Sequence, residues 1–269
     1  MSEQSPTYRT GPFRTGLGTS DADAITLLGH DLAHELIGQI SFGELAFWLV
    51  AKRRPDPGQL VMFEAVLVSL ADHGFTPTAI AARLTYASAP DSLQGALAAG
   101  LLGGGSRFLG VTEDCAHFLA GTLAELPSRP VDDAGWDDVA LDVVTRTKAA
   151  GRFVPGLGHP VHKVEDPRTP VLFALARENG TFGDHLALFE AIGRVHPQVL
   201  GRQLPLNGAG TCGAVLADLD LPLSVMRGFA LLSRCAGLLG HLAEEQTDPI
   251  GIDVYMSVDR NIDYRPPDA

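Results

Sequence analysis

The stretch Val154-Pro155-Gly156-Leu157-Gly158-His159-Pro160-Val161-His162-Lys163-Val164-Glu165-Asp166-Pro167-Arg168 is the most informative in the chain. Glycines at 156 and 158 permit backbone angles and a close ligand approach that a side chain would block. Pro155 and Pro167 fix the edges of a turn, and Asp166-Pro167-Arg168-Thr169-Pro170 reads as a helix entry with Arg168 near its start. The loop thereby presents one imidazole, His159, followed by one guanidinium, Arg168. An imidazole moves protons near neutral pH, and a guanidinium grips a carboxylate as a fork. The pair suits a small anionic carbonyl or hydroxy acid. Taken by itself the stretch also reads as a solvated surface loop.

Outward from this loop the pattern is helical. Ser41-Phe42-Gly43-Glu44 forms a capping box ahead of an apolar run over 45–50. Residues 59–71 carry apolar side chains at helical spacing. Thr76 and Pro77 open the next helix, and Asp91 opens one that runs to Leu102 and stops at Gly103-Gly104-Gly105. Further helices are expected over 112–126, 135–150, 167–179 (ended by Gly180), 183–200 and 224–245. Val and Ile seldom alternate with polar residues, so strand signals are weak. Residues 1–14 read as an irregular or strand-like arm. The expected fold is all-α: one unit over 1–269, a large helical domain with a smaller helical lobe within about 150–235. The glycines at 103–105 lack the Lys-Ser/Thr of a nucleotide P-loop and read as a structural turn.

A chain of 269 residues with 45% hydrophobic and 19% charged residues can bury a full-sized core. Its net charge of −12 argues against nucleic-acid or membrane-surface partners. It does not argue against an anionic substrate, because a local cluster of arginines can make one site positive. The N-terminus lacks a signal-peptide core, and apolar runs such as 97–102 are too short to span a bilayer. Cys115, Cys212 and Cys235 are scattered without metal-ligand spacing, so reduced thiols and a cytoplasmic location are expected. His30, His34, His117, His185 and His196 have no partner at ligand spacing, and His162 follows His159 without an HExxH pattern. No catalytic metal is expected.

In the last long helix Arg234, Gly237 and His241 share one face. Gly237 would let another backbone approach that face. The neighbours Leu231, Leu232, Cys235, Ala236, Leu238 and Leu239 make the helix apolar nearly all round, so Arg234 is expected in a cleft with an anionic partner. His73, ahead of Gly74, reads either as a helix-end cap or as a ligand.

These elements together resemble the citrate synthase family, in particular its short citryl-CoA lyase branch. The likeness runs from about Tyr8 to Ile250. It rests on the His159 loop, on Leu70-Ala71-Asp72-His73-Gly74-Phe75-Thr76-Pro77, on Leu204-Pro205-Leu206-Asn207, and on the segment from Arg227 to His241. The resemblance implies a homodimer that makes or breaks a C–C bond between a coenzyme A thioester and a keto acid such as oxaloacetate. It implies that Arg168 and Arg234 hold carboxylates and that His73 hydrogen-bonds the keto or hydroxyl oxygen. It implies that His159 gives that oxygen a proton in condensation and removes one in cleavage. Val154, Pro155, Gly156, Leu157 and Gly158 match the segment that lines the adenine of coenzyme A. Two family groups are missing. Leu109 stands where a histidine stabilises the enol oxygen, and Ala209 where an aspartate moves the proton at the acetyl carbon. Thr211 and Cys212 are the candidates for replacing that aspartate. Altered chemistry on a hydroxy-acyl-CoA or keto acid, and a non-catalytic carboxylate or coenzyme A binder, are the alternatives that the loss of the aspartate raises.

Overall fold

The computed structural model describes residues 11–267, which fall into two compact units, up to Pro55 and from Asp56 onward. Most of the expected arm over 1–14 lies outside the described residues; residues 11–14 form no helix or strand.

The first unit carries the strands that periodicity missed. Three short antiparallel strands, β1 (Gly18–Ser20), β2 (Ile25–Leu27) and β3 (His30–Asp31), lie in that order, with Thr19 opposite Thr26 and Leu27 opposite His30. Runs of two or three residues are too short to show alternation; the turns make them. Asp21 accepts the N–H groups of Asp23 and Ala24, and Leu28-Gly29, both at positive φ, form a two-residue hairpin turn. A single π-helical turn follows at Leu32–Leu36. Helix α1 (Phe42–Ala51) starts where Ser41 accepts the Glu44 N–H. On α1, Trp48 packs against the His30 ring and carries the Arg54 guanidinium over its own.

In the second unit the helices are α2 (Pro57–Leu70), α3 (Pro77–Ser88), α4 (Leu93–Leu102), α5 (Val111–Ala124), α6 (Asp133–Ala149), α7 (Arg168–Glu178), α8 (Asp184–Leu200), α9 (Gly208–Asp218), α10 (Met226–Thr247) and α11 (Gly251–Asp259). Asp56 and Gln59 form a complete capping box at the start of α2. The tightest pairs are α3 with α4, α5 with α9, and α6 with α8, while α10 lies against α2 to α5.

Helix α9 escaped the sequence reading because Gly208-Ala209-Gly210-Thr211-Cys212-Gly213 has poor helix propensity. It forms because Asn207 caps it, accepting the Gly210 N–H at 2.8 Å. Its small residues then let it sit buried along most of its length. Helix α11 was also unforeseen; the Glu245 carboxylate accepts the N–H groups of Ile250 and Gly251 at its start.

Gly100 and Gly104 allow close packing within the chain. A Cβ at Gly100 would press on Leu238 and the Thr78 carbonyl, and one at Gly104 on Leu231 and Leu109. By length and composition alone, Leu223–Thr247 is apolar enough to cross a membrane. Its Arg234, His241 and Glu245 are buried and bonded to residues of the same unit, as in a core helix.

Candidate active site

One face of α10 builds one wall of the site. Arg234 donates from Nη2 to the Leu70 carbonyl at 3.2 Å and from Nη1 to Thr76 Oγ1 at 3.3 Å. A turn further on, a Cβ at Gly237 would collide with the Ala71 carbonyl, so glycine there lets the end of α2 lie directly on α10. A further turn along, His241 Nε2 is 2.8 Å from Asp72 Oδ1. His241 is fixed in turn because Arg83 Nε donates to its Nδ1 at 3.2 Å, and Glu245 accepts from the buried Arg83. The face shared by Arg234, Gly237 and His241 therefore grips residues 70–72 and sets the loop that presents His73.

The opposite wall comes from the His159 loop and the start of α9. Gly156 and Gly158 both have positive φ, 82° and 90°, as the close turn requires. Asn207 donates from Nδ2 to the Gly158 carbonyl at 2.8 Å, and the Gly158 N–H donates to Pro205 at 2.7 Å. The His159 Nδ1 accepts the backbone N–H groups of Val161 and His162 at 3.1 and 3.0 Å. His162 stacks on His159 at 4.5 Å between centroids, and His73 lies 5.3 Å from His159 and 5.9 Å from His162. Burial pushes His159 below its usual value, and the charges of His162, His73 and Arg168 act in the same direction against Asp166.

Arg168, at the first position of α7, meets a buried carboxylate absent from the sequence expectation. Asp166 takes its Nε at 3.0 Å and its Nη2 at 2.8 Å, and Ser69 takes Nη1 at 3.2 Å. These three bonds leave two of the five guanidinium N–H groups for a ligand. Burial alone would raise the Asp166 carboxyl; the Arg168 guanidinium and the Gly208 N–H outweigh it and hold it well below the usual range. The Asp-Pro-Arg spacing was a signal for this pairing.

Arg234 is different. It is 5% exposed, makes no ion pair among the described residues, and its Nε has no hydrogen-bond partner. Burial lowers its pKa, Arg168 adds to that, and Asp72 opposes. The two arginines, His73, His159, Gly158, Asn207, Leu109 and Ala209 all line one cavity of about 460 Å³. Arg107 is a third cation in its wall, and among the described residues no aspartate or glutamate lines it. A pocket with three guanidiniums and no carboxylate, on a protein of net charge −12, is built for an anion.

Of the loop residues matched to adenine, only Gly158 reaches this cavity. Val154 and Leu157 line a separate one of about 340 Å³ with Phe153, Lys148, Arg152 and Arg202. Gly156 is buried against Phe189 and Cys115. Neither proposed stand-in for the missing aspartate reaches the pocket. Thr211 is buried and bonded to Asn207 and Thr169. Cys212 is buried, and burial pushes its thiol up to about 12.

Ring nitrogens of His73, His159 and His162 come within 4.8 Å of one another. The group could therefore hold a metal ion, which the sequence expectation did not foresee for His162. His159 and His162 are stacked, while His73 is tilted to the first and edge-on to the second. The Nδ1 of His159 is occupied by two backbone donors, which leaves its Nε2 for a ligand.

The chain matches the family model "Citrate synthase, C-terminal domain" over residues 24–252. It belongs to the citrate synthase family. Citrate synthase from Synechocystis sp. is 24% identical over 217 residues, covering 77% of this chain and 50% of the relative. The other curated relatives are matched over 38–53% of their length, so the chain spans about half or less of most of them. The structure of citryl-CoA lyase from Hydrogenobacter thermophilus is similar over 96% of both chains, with a TM-score of 0.82 and 29% identity. ATP citrate lyase from Methanothrix soehngenii, in complex with citrate and coenzyme A, aligns with a TM-score of 0.80 and 22% identity, over 97% of this chain and 43% of its own. The all-α expectation agrees with these folds; the small sheet of the first unit is the exception.

Proposed function

We propose that the protein is a citryl-CoA lyase-type enzyme that breaks, or in reverse makes, the C–C bond between a coenzyme A thioester and a dicarboxylic keto acid. The observation that carries this reading is Arg234: a buried guanidinium with an unmet N–H, beside Arg168, in a pocket without carboxylates. A buried cation of this kind is complemented only when an anion arrives. Two guanidiniums lining one cavity with His73 and His159 match a molecule with two carboxylates and one oxygen at the reacting carbon. In cleavage the hydroxyl loses its proton and the oxygen becomes the keto oxygen. The C–C electron pair moves into the thioester, giving an enolate that is then protonated at carbon.

The second cavity supports a thioester tail. Phe153, Val154 and Leu157 offer apolar contact, and Lys148, Arg152 and Arg202 offer positive charge for phosphates. The Methanothrix relative binds coenzyme A in its structure, which supports a thioester ligand here. The protein is taken to act as a cytoplasmic homodimer.

The test is oxaloacetate release from citryl-CoA by the purified protein, followed with malate dehydrogenase and NADH. No release, together with no binding of citrate or oxaloacetate, would refute the reading. A second reading, altered chemistry or ligand binding without catalysis, is favoured by Ala209 and Leu109, which line the pocket without a titratable group. Tight carboxylate binding with no cleavage would select it.

A further inference from the structure

Resting on the lyase reading, we infer that the thioester partner carries an alkyl group on the carbon that bonds to the keto carbon, so the acyl group released is longer than acetyl. The observation is an apolar arc in the wall of the main cavity, beside one of its arginines. Arg168 reaches the start of α9 because Gly208 has no side chain to block the guanidinium. Ala209, the next residue, lines the cavity with a single methyl group. Asn207, the residue before, bonds the Gly158 carbonyl beside His159 at 2.8 Å. The short segment over 207–209 therefore joins the carboxylate clamp to the His159 wall. The acyl carbon is one bond from the oxygen-bearing carbon held there, within reach of Ala209.

Phe108 and Leu109 of the turn ahead of α5, Val111 at its first position and Pro77 at the first position of α3 extend the apolar surface. Leu109 is 4% exposed and fixed in place. Its N–H donates to the Gly105 carbonyl at 3.1 Å, and its side chain packs where a Cβ at Gly104 would stand. Phe108 is 48% exposed, a large ring left open to a ligand. The hydroxyls in the same wall add little polar surface: Thr78 and Thr112 are each 1% exposed, and Thr78 is bonded to Thr76. Arg107 is exposed and keeps its charge in water. An alkyl group would desolvate an aspartate at 209 or a histidine at 109, and neither alanine nor leucine has a polar group to lose. An acetyl unit brings no carbon beyond its methyl to this arc, whereas a longer acyl chain covers it.

The same substituent favours cleavage, because the bond that breaks joins two crowded carbons. The hydroxyl loses its proton and its oxygen becomes the keto oxygen. The C–C pair passes into the thioester as an enolate, and water supplies one proton to the alkyl-bearing carbon. One proton is released and one taken up, so the step balances.

The test measures oxaloacetate release by the full chain, with malate dehydrogenase and NADH, from three synthetic substrates. They are citryl-CoA and its homologues with a methyl or an ethyl group on the carbon next to the thioester carbonyl. A methylene in an apolar pocket is worth about 10- to 200-fold in discrimination, so kcat/KM should be higher by about 10-fold or more for the better homologue. Ala209→Val fills the space and Ala209→Asp places a charge in it, so each should lower that ratio by about 10-fold. Calorimetric oxaloacetate binding checks that both variants are folded. Wild-type protein that cleaves citryl-CoA as well as either homologue would overturn the inference and leave the lyase reading standing. A preference unmoved in both variants would overturn the placement of the alkyl group at Ala209. Release from none of the three would refute the lyase reading. Calorimetry in the presence of oxaloacetate then still decides the pocket: butyryl-CoA should bind more tightly than acetyl-CoA by about 10-fold, and equal affinities would overturn the inference.

Discussion

Replacing Arg234 by methionine should separate binding from stability, with opposite signs. Without ligand, the guanidinium is a buried cation that, among the described residues, bonds neutral oxygens, at 3.2 Å to Leu70 and 3.3 Å to Thr76. Desolvating an ion costs several kcal/mol even in a relaxed protein, and each bond from a charged donor returns about 1.5–3 kcal/mol. Methionine removes the charge and leaves the Leu70 carbonyl one partner short, a loss of about 1–3 kcal/mol. These terms nearly cancel. The unliganded Tm should therefore stay level or rise by about 2–4 °C for each kcal/mol gained. Binding loses at least one charge-assisted contact of about 1.5–3 kcal/mol, which weakens oxaloacetate by roughly 10- to 150-fold. Ligand at 100 times the wild-type Kd should stabilise wild type by about 2.7 kcal/mol, and a variant 50-fold weaker by under about 1 kcal/mol. Thermal unfolding with and without oxaloacetate, beside titration calorimetry, reads both quantities. A variant that melts more than about 5 °C lower yet binds oxaloacetate as tightly as wild type would make Arg234 a structural cation and refute the reasoning.

Ala209→Asp should raise the rate of citryl-CoA cleavage, because Ala209 lines the pocket at the start of α9 and neither Thr211 nor Cys212 reaches it; a folded, substrate-binding variant with no gain would mean that the carbon is protonated without help from that position. Asp166→Asn should flatten the acid limb of stability. The folded Asp166 pKa is depressed, so its contribution is complete above the unfolded value of about 3.9 and is lost as pH falls through the folded value. Tm measured downward from neutral pH checks this, and a variant with an unchanged acid slope would count against the pairing. Size measurement at micromolar concentration should give a dimer, and a mass near the monomer's 28.4 kDa would contradict that.

Legibility followed the range of the forces involved. Helix α3 shows its start in sequence, because Thr76-Pro77 acts within one turn, whereas the start of α2 at its Asp56–Gln59 capping box lies ahead of the apolar run over 59–71 that marked it. Helix α9 was hidden because its stability comes from burial around Gly210 and Gly213, which local propensity opposes. In the site, His159, Arg168 and Arg234 stood out by residue type and setting, while the roles given to the two arginines and to His73 followed from the resemblance. The stacking of His162 and the bond from His241 to Asp72 depend on a fold that brings distant segments or side-chain directions together. The adenine match spread over 154–158 in sequence divides between two cavities once Gly156 turns inward.

The bidentate hold of Asp166 on Arg168 has a stereochemical consequence. It fixes the plane of that guanidinium, so an incoming carboxylate meets it only along the remaining edge. Arg234 is aimed by the Leu70 carbonyl, and the His159 ring by two backbone N–H groups. Three donors whose directions are set by the protein form a handed receptor. A keto acid such as oxaloacetate has two mirror-image faces at its flat carbonyl carbon. Docked at three such points, it would present only one of them toward the Ala209 side, so in the condensing direction the new bond would form on that face alone.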